Sequence, residues 1–179
     1  QILRVRLPGT MATVRTRVPG VDLLQGPDVV TGIDASNFDH LRSQLRRWSP
    51  QVIVNCVGVI KQRDSAASAI PTITINSLLP HVLADAAAEW GGRVIHFSTD
   101  CVFSGRKGRY TEDDPSDAED LYGRSKFLGE VTASNALTLR TSIIGRELTH
   151  HRSLLDWFLS QDGRTVRGFR RVIYSGITR

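Results

Sequence analysis

The sequence is poor in cysteine and has no long apolar run. Its two cysteines, Cys56 and Cys101, are too few for a disulfide framework, and no Cys-x-x-Cys or Cys/His spacing is present to hold structural zinc. The longest apolar stretches fall well below the roughly 18 residues that a membrane helix needs. The first residues contain no apolar core typical of a secretion signal. The composition therefore predicts a cytoplasmic protein with no metal, no disulfide and no membrane segment.

Positive charge is in modest excess. There are 23 Lys and Arg residues against 18 Asp and Glu residues, a formal net charge of +5. No basic stretch is interleaved with aromatic residues that could stack on bases, so nucleic acid is not an expected partner. A solvated surface is the simpler interpretation of the arginines, and small anionic ligands are the next.

Segments with strand and helix patterns alternate along the chain. Apolar runs predict strands over residues 10–15, 28–33, 51–57, 93–99 and 136–141. Apolar residues at helical spacing predict helices over 38–48, 74–90 and 121–135. Pro80 should bend the second helix or mark a late start, and strands 51–57 and 93–99 should be buried on both faces. The alternation predicts an α/β fold with a parallel sheet and helices on both faces.

Polar residues stand where two of these strands end. Asn55 lies near the end of strand 51–57, and Ser98, Thr99 and Asp100 lie at the end of strand 93–99. In parallel sheets of this kind, ligands bind beyond the carboxyl ends of the strands. We therefore expect the chemistry of the protein at these positions.

A tyrosine and a lysine stand four residues apart at the start of the third helix. Tyr122 and Lys126 share one helix face, so the ammonium can approach the phenol. A nearby positive charge lowers the pKa of a phenol toward the neutral range. A hydroxyl of Ser98 or Thr99 could hold a carbonyl oxygen beside that phenol, which would make a proton-transfer site for carbonyl reduction. Most isolated pairs of this spacing are surface pairs, but the preceding strand ending in Ser-Thr favours the functional interpretation.

Three motifs give the chain a resemblance to the extended short-chain dehydrogenase/reductases, and within them to the dTDP-4-dehydrorhamnose reductase (sugar-nucleotide reductase) branch. They are HFSTDCVFSG over residues 96–105, YGRSK over 122–126 with Gly129-Glu130 after it, and LRTSIIG over 139–145. The resemblance extends from about Gly9 to Ile177. It implies a Rossmann-like doubly wound parallel sheet, followed by the start of a smaller C-terminal substrate domain.

The resemblance assigns roles to individual residues. Thr99, with Ser98 beside it, matches the catalytic hydroxyl, Tyr122 matches the proton donor, and Lys126 matches the residue that lowers the phenol pKa and holds the nicotinamide ribose. The implied cofactor-binding residues are Arg15, Arg17, Asp34, Asn55, Cys56, Val57, Tyr122 and Lys126. The implied substrate-binding residues are Asp100, Cys101, Ser104 and Gly105. Related reductases often carry an aromatic residue at the position of Cys101, and a buried small residue is the simpler interpretation of this cysteine.

Arginine rather than an acidic residue follows the strand that matches the second strand of the nucleotide fold. An acidic residue there would bind a ribose 2′-hydroxyl, whereas Arg15 or Arg17 could accommodate a 2′-phosphate. A solvated arginine is the alternative. We expect NADP(H) as the cofactor, with Arg15 the better candidate because it lies closer to the strand.

No glycine-rich GxxGxxG turn of the kind that begins such folds is present. The family alignment would make Gln1–Leu7 the end of the first helix, whereas the local pattern allows a strand there. The resemblance predicts an NADP-binding domain over 1–145 without its first strand and glycine-rich loop, and an incomplete substrate-binding region over 146–179. The chain alone is therefore expected to lack measurable reductase activity.

The expected reaction is NADPH-dependent reduction of the 4-keto group of a nucleotide-linked deoxysugar, in dTDP-rhamnose and cell-surface polysaccharide biosynthesis. A sugar-nucleotide epimerase or dehydratase is a near alternative, which Asp100 leaves open. A non-catalytic regulatory or binding subunit on the same fold is an alternative of a different class. The sugar nucleotide is the expected partner, and the resemblance is compatible with a homodimer.

Overall fold

The computed structural model describes residues 7–16, 26–60, 68–146, 153–168 and 177–178. Arg17 and residues 1–6 lie outside this part of the chain, and their predicted roles stay predictions. The chain divides into two compact units, Gln1–Leu139 and Arg140–Arg179. The boundary after residue 145 stays a prediction.

Five strands begin in the described part of the first unit. Strand β1 (Ala12–Val14) pairs in parallel with β2 (Val29–Thr31). Strand β3 (Val52–Asn55) pairs in parallel with β4 (Arg93–Ser98), and β5 (Ala136–Arg140) lies on the other side of β4. The parallel α/β organisation expected from the alternating pattern is confirmed, and each strand falls within its predicted segment.

Helix α1 (Phe38–Trp48) has the bounds that its pattern predicts. The side chain of Asn37 accepts a hydrogen bond from the amide of His40 (3.1 Å), which satisfies one of the unpaired donors of the first turn. Leu41 and Leu45, four residues apart, form the buried face of the helix.

The second helical region begins earlier than predicted and contains an irregular turn. Helix α2 (Ala69–Ile73) leads through a π-helical turn (Thr74–Leu78) into α3 (Leu79–Ala88). Proline has no amide hydrogen, so Pro80 cannot complete the regular hydrogen bond to the carbonyl of Asn76. The wider turn accommodates this, because the amide of Leu79 bonds instead to the carbonyl of Thr74.

Helix α4 (Leu121–Leu128) is shorter than expected, and its predicted end at residue 135 was wrong. The chain leaves the helix at Gly129, whose Cα lies against the carbonyl of Asn76 in the π-helical turn, where a Cβ atom would overlap the carbonyl oxygen. Only glycine allows this approach. The end of α4 is thus fixed by a tertiary contact.

The core lies between the helices and one face of the sheet. It includes Leu41 and Leu45 of α1, Leu79 and Leu83 of α3, and Val94 of β4. Burial on both faces was wrong for β3, because Val52 is 48% exposed. The helices of this core pack on the sheet face that carries Val94. Side chains along a strand alternate between the two faces, so Val52 lies on the opposite face, away from this core.

The second unit contains three short elements in its described part. Strand β6 (Ile143–Ile144) pairs in parallel with β7 (Ile177–Thr178), and α5 (Leu154–Leu159) lies between them in sequence. Ser153 caps α5 by accepting a hydrogen bond from the amide of Asp156. Among the described residues of the whole chain, no helix has the length and apolarity needed to cross a bilayer.

Candidate active site

The residues that follow β4 form a tight polar turn. The hydroxyl of Ser98 donates a hydrogen bond to Glu130 Oε1 (2.7 Å). Thr99 Oγ1 accepts a hydrogen bond from the amide of Cys101 (3.2 Å), so it caps the 3₁₀ turn Asp100–Val102, and it donates to Asp100 Oδ1 (3.3 Å). At this strand end, each of two hydroxyl groups therefore donates to a carboxyl group, Ser98 to Glu130 and Thr99 to Asp100.

Helix α4 begins against this turn. The carboxylate of Asp120 accepts a hydrogen bond from the amide of Gly123 (2.8 Å) and caps the helix. A Cβ atom on Gly123 would overlap the carbonyl oxygen of Cys101 and the side chain of Ala118, so glycine is needed for the close approach. This contact brings the turn that carries Tyr122 to the carboxyl end of β4, where Cys101 is partly exposed rather than buried.

Lys126 lies one turn after Tyr122 and is only 5% exposed. Its Nζ donates a hydrogen bond to the carbonyl of Phe97 (2.6 Å) and lies 3.4 Å from Nε2 of His96. Burial lowers the pKa of Lys126 to about 8, against the opposing effect of the Glu130 charge. At neutral pH most of this lysine is therefore still charged, and the charge is lost as the pH rises through about 8.

His96 connects this lysine to the end of β3. Its ring is completely buried, with Nδ1 3.1 Å from Nδ2 of Asn55. The amide of Val57 donates to Oδ1 of the same asparagine (3.1 Å). Burial, followed by the charges of Lys126 and His81, lowers the pKa of His96 to about 4, so the ring is neutral at physiological pH.

Asn76 is a buried polar residue that the sequence analysis did not single out. It is inaccessible to solvent, and its side chain bonds to both backbone groups of Val59 (2.8 and 3.0 Å) and to Oγ of Ser125 (3.1 Å). It ties the loop after β3 to helix α4. An asparagine on an otherwise apolar helix face before Pro80 was the available signal.

A cavity of about 290 Å³ lies where β1 and β3 end. Arg15, Asp34, Asn55, Val57 and Gly58 line it, and side chains of α1 and α3 supply its apolar wall. Two hydrogen bonds from Ser36, followed by the Arg15 charge, lower the pKa of Asp34, so its carboxyl group is ionised at neutral pH. Cys56 lies in the same segment and is exposed.

The predicted substrate residues Ser104 and Gly105 lie in an exposed loop. The carboxylate of Asp117 accepts hydrogen bonds from the amide (2.6 Å) and the hydroxyl (2.5 Å) of Ser104, and from the hydroxyl of Tyr110 (3.1 Å). The ring of Phe103 stacks on that of Tyr110 at 4.3 Å. Gly105 has a φ of +83°, a conformation that favours glycine.

The structure thus forms two groups of predicted residues. Ser98, Thr99, Asp100, Cys101 and Lys126 lie where β4 and α4 approach, with Tyr122 one turn before Lys126. Arg15, Asp34, Asn55 and Val57 line the cavity. The buried ring of His96 connects the groups through Asn55 and Lys126. Neither His96 nor Glu130 was given a role by the sequence analysis.

Residues 14–159 match the model of the RmlD substrate binding domain family. This match covers most of the chain. The chain belongs to the RmlD family. It is 36% identical over 98 residues to the dTDP-4-dehydrorhamnose reductase of Burkholderia thailandensis, and this stretch is 52% of this chain and 33% of the relative. It is 37% identical over 98 residues to methionine adenosyltransferase 2 subunit beta of Danio rerio, which is 51% of this chain and 28% of the relative.

Solved structures share the RmlD-type α/β fold. A hypothetical dTDP-4-dehydrorhamnose reductase from Sulfolobus tokodaii superposes with a TM-score of 0.75 at 23% identity, over 92% of this chain and 58% of that one. The dTDP-4-dehydrorhamnose reductase of Bacillus anthracis, solved in complex with NADP, gives 0.65 at 21% identity over 77% and 52%. The predicted Rossmann-like fold is confirmed. The matched part spans a third or less of these two curated relatives.

Proposed function

We propose that the protein containing this chain uses NADPH to reduce the 4-keto group of a nucleotide-linked deoxysugar, as a dTDP-4-dehydrorhamnose reductase does. The observation that carries the proposal is the buried Lys126 one helical turn from Tyr122, at the strand end that carries Ser98 and Thr99. Membership of the RmlD family and the names of the reductase relatives support it.

In this reaction Tyr122 supplies the proton to the carbonyl oxygen, and the Lys126 ammonium stabilises the phenolate that remains. A general acid placed in this way contributes about two to four orders of magnitude in rate. Because Lys126 has a pKa of about 8, its charge is present below that pH and is lost above it. Turnover should therefore fall as the pH rises through this value.

Thr99 is the better candidate for the hydroxyl that orients the substrate carbonyl. The bond from Ser98 to Glu130 is short (2.7 Å), whereas the bond from Thr99 to Asp100 is long (3.3 Å). A longer hydrogen bond is weaker and costs less to redirect. Thr99→Val should therefore lower kcat more than Ser98→Ala. The positions of Asp100, Cys101, Ser104 and Gly105 after β4 support their proposed place beside the sugar.

The residues at the cavity suit the nucleotide half of NADPH. The ionised Asp34 offers hydrogen-bond acceptors to an adenosine, and Arg15 offers a cation to the 2′-phosphate. Asn55, Cys56 and Val57 would form the adjoining wall, with Tyr122 and Lys126 at the nicotinamide ribose. When bound, the cofactor supplies the hydride.

Arg15→Asp tests the choice of cofactor. It should weaken NADPH binding about tenfold or more, because a hydrogen bond to a charged group contributes about 1.5–3 kcal/mol. NADH binding should change less. Arg47→Asp, on the exposed end of α1, is the matched control and should leave both dissociation constants unchanged. Equal effects on the two cofactors would contradict the assignment.

A direct assay tests the reaction. NADPH oxidation is followed with a dTDP-4-keto-6-deoxysugar, and the product is analysed by mass spectrometry for the gain of two hydrogens. Reduction supports the proposal. Isomerisation or loss of water without net NADPH oxidation would instead indicate an epimerase or dehydratase, for which Asp100 would be the additional acid or base.

A regulatory subunit is the second candidate function. The subunit beta of Danio rerio is as similar to this chain as the reductase of Burkholderia thailandensis, so identity alone does not separate the two. A protein that binds NADPH without oxidising it, and that associates with a methionine adenosyltransferase, would support this alternative.

We propose a cytoplasmic location for the protein under either function, because the two free cysteines would stay reduced there. For the reductase we also propose a homodimer.

A further inference from the structure

His96 is a buried histidine to which the proposed reaction gives no role. It lies on β4 with no solvent exposure, and each ring nitrogen faces a side chain of the candidate site. Nδ1 faces Nδ2 of Asn55 at 3.1 Å, and Nε2 faces Nζ of Lys126 at 3.4 Å. The chemistry of these two neighbours determines where the ring carries its proton.

Asn55 determines the tautomer of the ring. The amide of Val57 donates to Oδ1 of Asn55, so the oxygen must point toward Val57 and the NH₂ group toward His96. An NH₂ group can only donate, and Nδ1 must therefore accept. A neutral imidazole that accepts at Nδ1 carries its hydrogen on Nε2. The N–H of His96 is thus directed at Lys126.

This N–H meets the nitrogen of Lys126 differently in its two protonation states. An ammonium has only donors, so it cannot accept the hydrogen from Nε2 of His96. A neutral amine accepts this hydrogen with its lone pair and still donates to the carbonyl of Phe97 (2.6 Å). The contacts of Lys126 with His96 and with Phe97 are therefore both satisfied only when the amine is neutral.

Other titratable groups of the surrounding elements act on the same pair. The charge of Glu130, after α4, favours the Lys126 ammonium. His81 on α3 disfavours a charge on His96. Tyr122 lies one turn before Lys126 on the same helix. The effect of Glu130 on Lys126 is therefore opposite to the one that we infer for His96.

We propose that His96 is a positioning residue, held by Asn55 with its proton on Nε2, which disfavours the Lys126 ammonium and so sets the pH above which that charge is lost. This inference rests on the proposed function, in which the Lys126 ammonium acts on Tyr122. It identifies the pair Asn55–His96 as the element that determines how much of that charge is present before the substrate arrives.

Nuclear magnetic resonance of the protein without ligands tests the tautomer without any substitution. The chain has five histidines, and ¹⁵N labelling distinguishes the protonated ring nitrogen of each. We expect one neutral ring with its hydrogen on Nε2 that stays unprotonated until the pH approaches about 4. If the neutral His96 ring carries its hydrogen on Nδ1, the proposal is overturned, and this result does not depend on whether any variant folds.

A double-substitution cycle tests the effect on Lys126. In Asn55→Asp the carboxylate accepts from Nδ1–H, so Nε2 presents a lone pair to the lysine. The Lys126 pKa, followed by its ¹³Cε signal, should then rise from about 8 toward the ordinary 10.5. The negative charge of the new aspartate also raises the Lys126 pKa directly. The Asn55→Asp substitution is therefore repeated in the His96→Phe variant, where the rise in the Lys126 pKa should be smaller. His81→Gln is the control and should leave the tautomer unchanged.

An equal rise in both backgrounds, or no rise with His96 present, would overturn the proposal. A positioning role also predicts that the alkaline limb of the kcat profile moves upward with the Lys126 pKa in Asn55→Asp. The magnetic resonance results do not depend on turnover. Absence of reduction with the expected tautomer and pKa would therefore contradict only the proposed function.

Discussion

The corner where β4 meets α4 and the loop over residues 103–119 both have many polar contacts, but they differ in burial. In the corner, His96 and Asn76 are fully buried and Lys126 is 5% exposed. In the loop, the side chains of the ion pair Arg106–Glu119 are 72% and 64% exposed. The same kinds of hydrogen bond therefore have different energetic consequences in the two regions.

Buried polar groups are costly to leave unpaired, at about 1–3 kcal/mol each. The corner around Asn76 and His96 therefore tolerates little change, which suits groups that must hold one geometry for proton transfer. Exposed ion pairs such as Arg106–Glu119 contribute little. The loop can change its side chains at small cost, which suits the selection of a substrate.

Gly129→Ala should break the corner and is expected to have the largest effect. The added methyl group overlaps the carbonyl of Asn76, so the end of α4 must move, at a cost of about 3 kcal/mol or more in the free energy of unfolding. Urea unfolding measures it. Gly168→Ala, where a Cβ atom meets nothing within 4 Å, is the matched control. Equal stability of the two variants would contradict the packing described.

Lys126→Met should lower activity and change how the stability of the corner depends on pH. The Lys126 pKa is about 8 in the folded protein and near 10.5 in the unfolded chain, so burying the charge destabilises the fold fully below pH 8. This cost disappears as the pH rises through 10.5. The substitution also leaves the Phe97 carbonyl without its donor, which costs about 1–3 kcal/mol at every pH. Relative to the original protein, the variant should therefore lose about 2–3 kcal/mol of stability as the pH rises from neutral to 10.5. We also expect a loss of about two orders of magnitude in kcat.

Thermal unfolding at several pH values and steady-state kinetics measure these two effects. The matched control is Lys107→Met, because this lysine is exposed in its ion pair with Asp114. It should change neither stability nor kcat. A stability difference between Lys126→Met and the original protein that stays constant from neutral pH to pH 10.5 would contradict the linkage argument.

Asp117→Asn, in the exposed loop, should have the smallest effect on stability and turnover of the substitutions considered. It weakens the bonds to Ser104 and Tyr110, but the group is exposed and its contacts are screened. We expect no resolvable change in Tm or kcat and a higher KM for the sugar nucleotide. A fall in kcat without a change in KM would show that the loop acts on the chemistry rather than on binding.

Much of the fold could be predicted because its signals are local. The apolar runs located the five strands that begin in the described part of the first unit. The apolar spacing that includes Leu41 and Leu45 indicated helix α1. The end of α4 could not be predicted, because it depends on Gly129 meeting the π-helical turn from a distant part of the chain.

The candidate site shows the same division. Tyr122 and Lys126 are four residues apart, so one helix turn predicts their proximity. Asn76 and His96 have partners far away in sequence, such as Ser125 and Asn55. Their roles follow only from strand pairing and helix packing, which bring these side chains together.

Replacement of Tyr122 by Phe tests most directly whether the corner transfers a proton. The substitution keeps the ring and removes the hydroxyl. The proposal predicts that kcat for the sugar nucleotide falls by about two to four orders of magnitude, while the dissociation constant for NADPH barely changes. A variant that reduces the substrate at nearly the original rate would show that Tyr122 is not the acid.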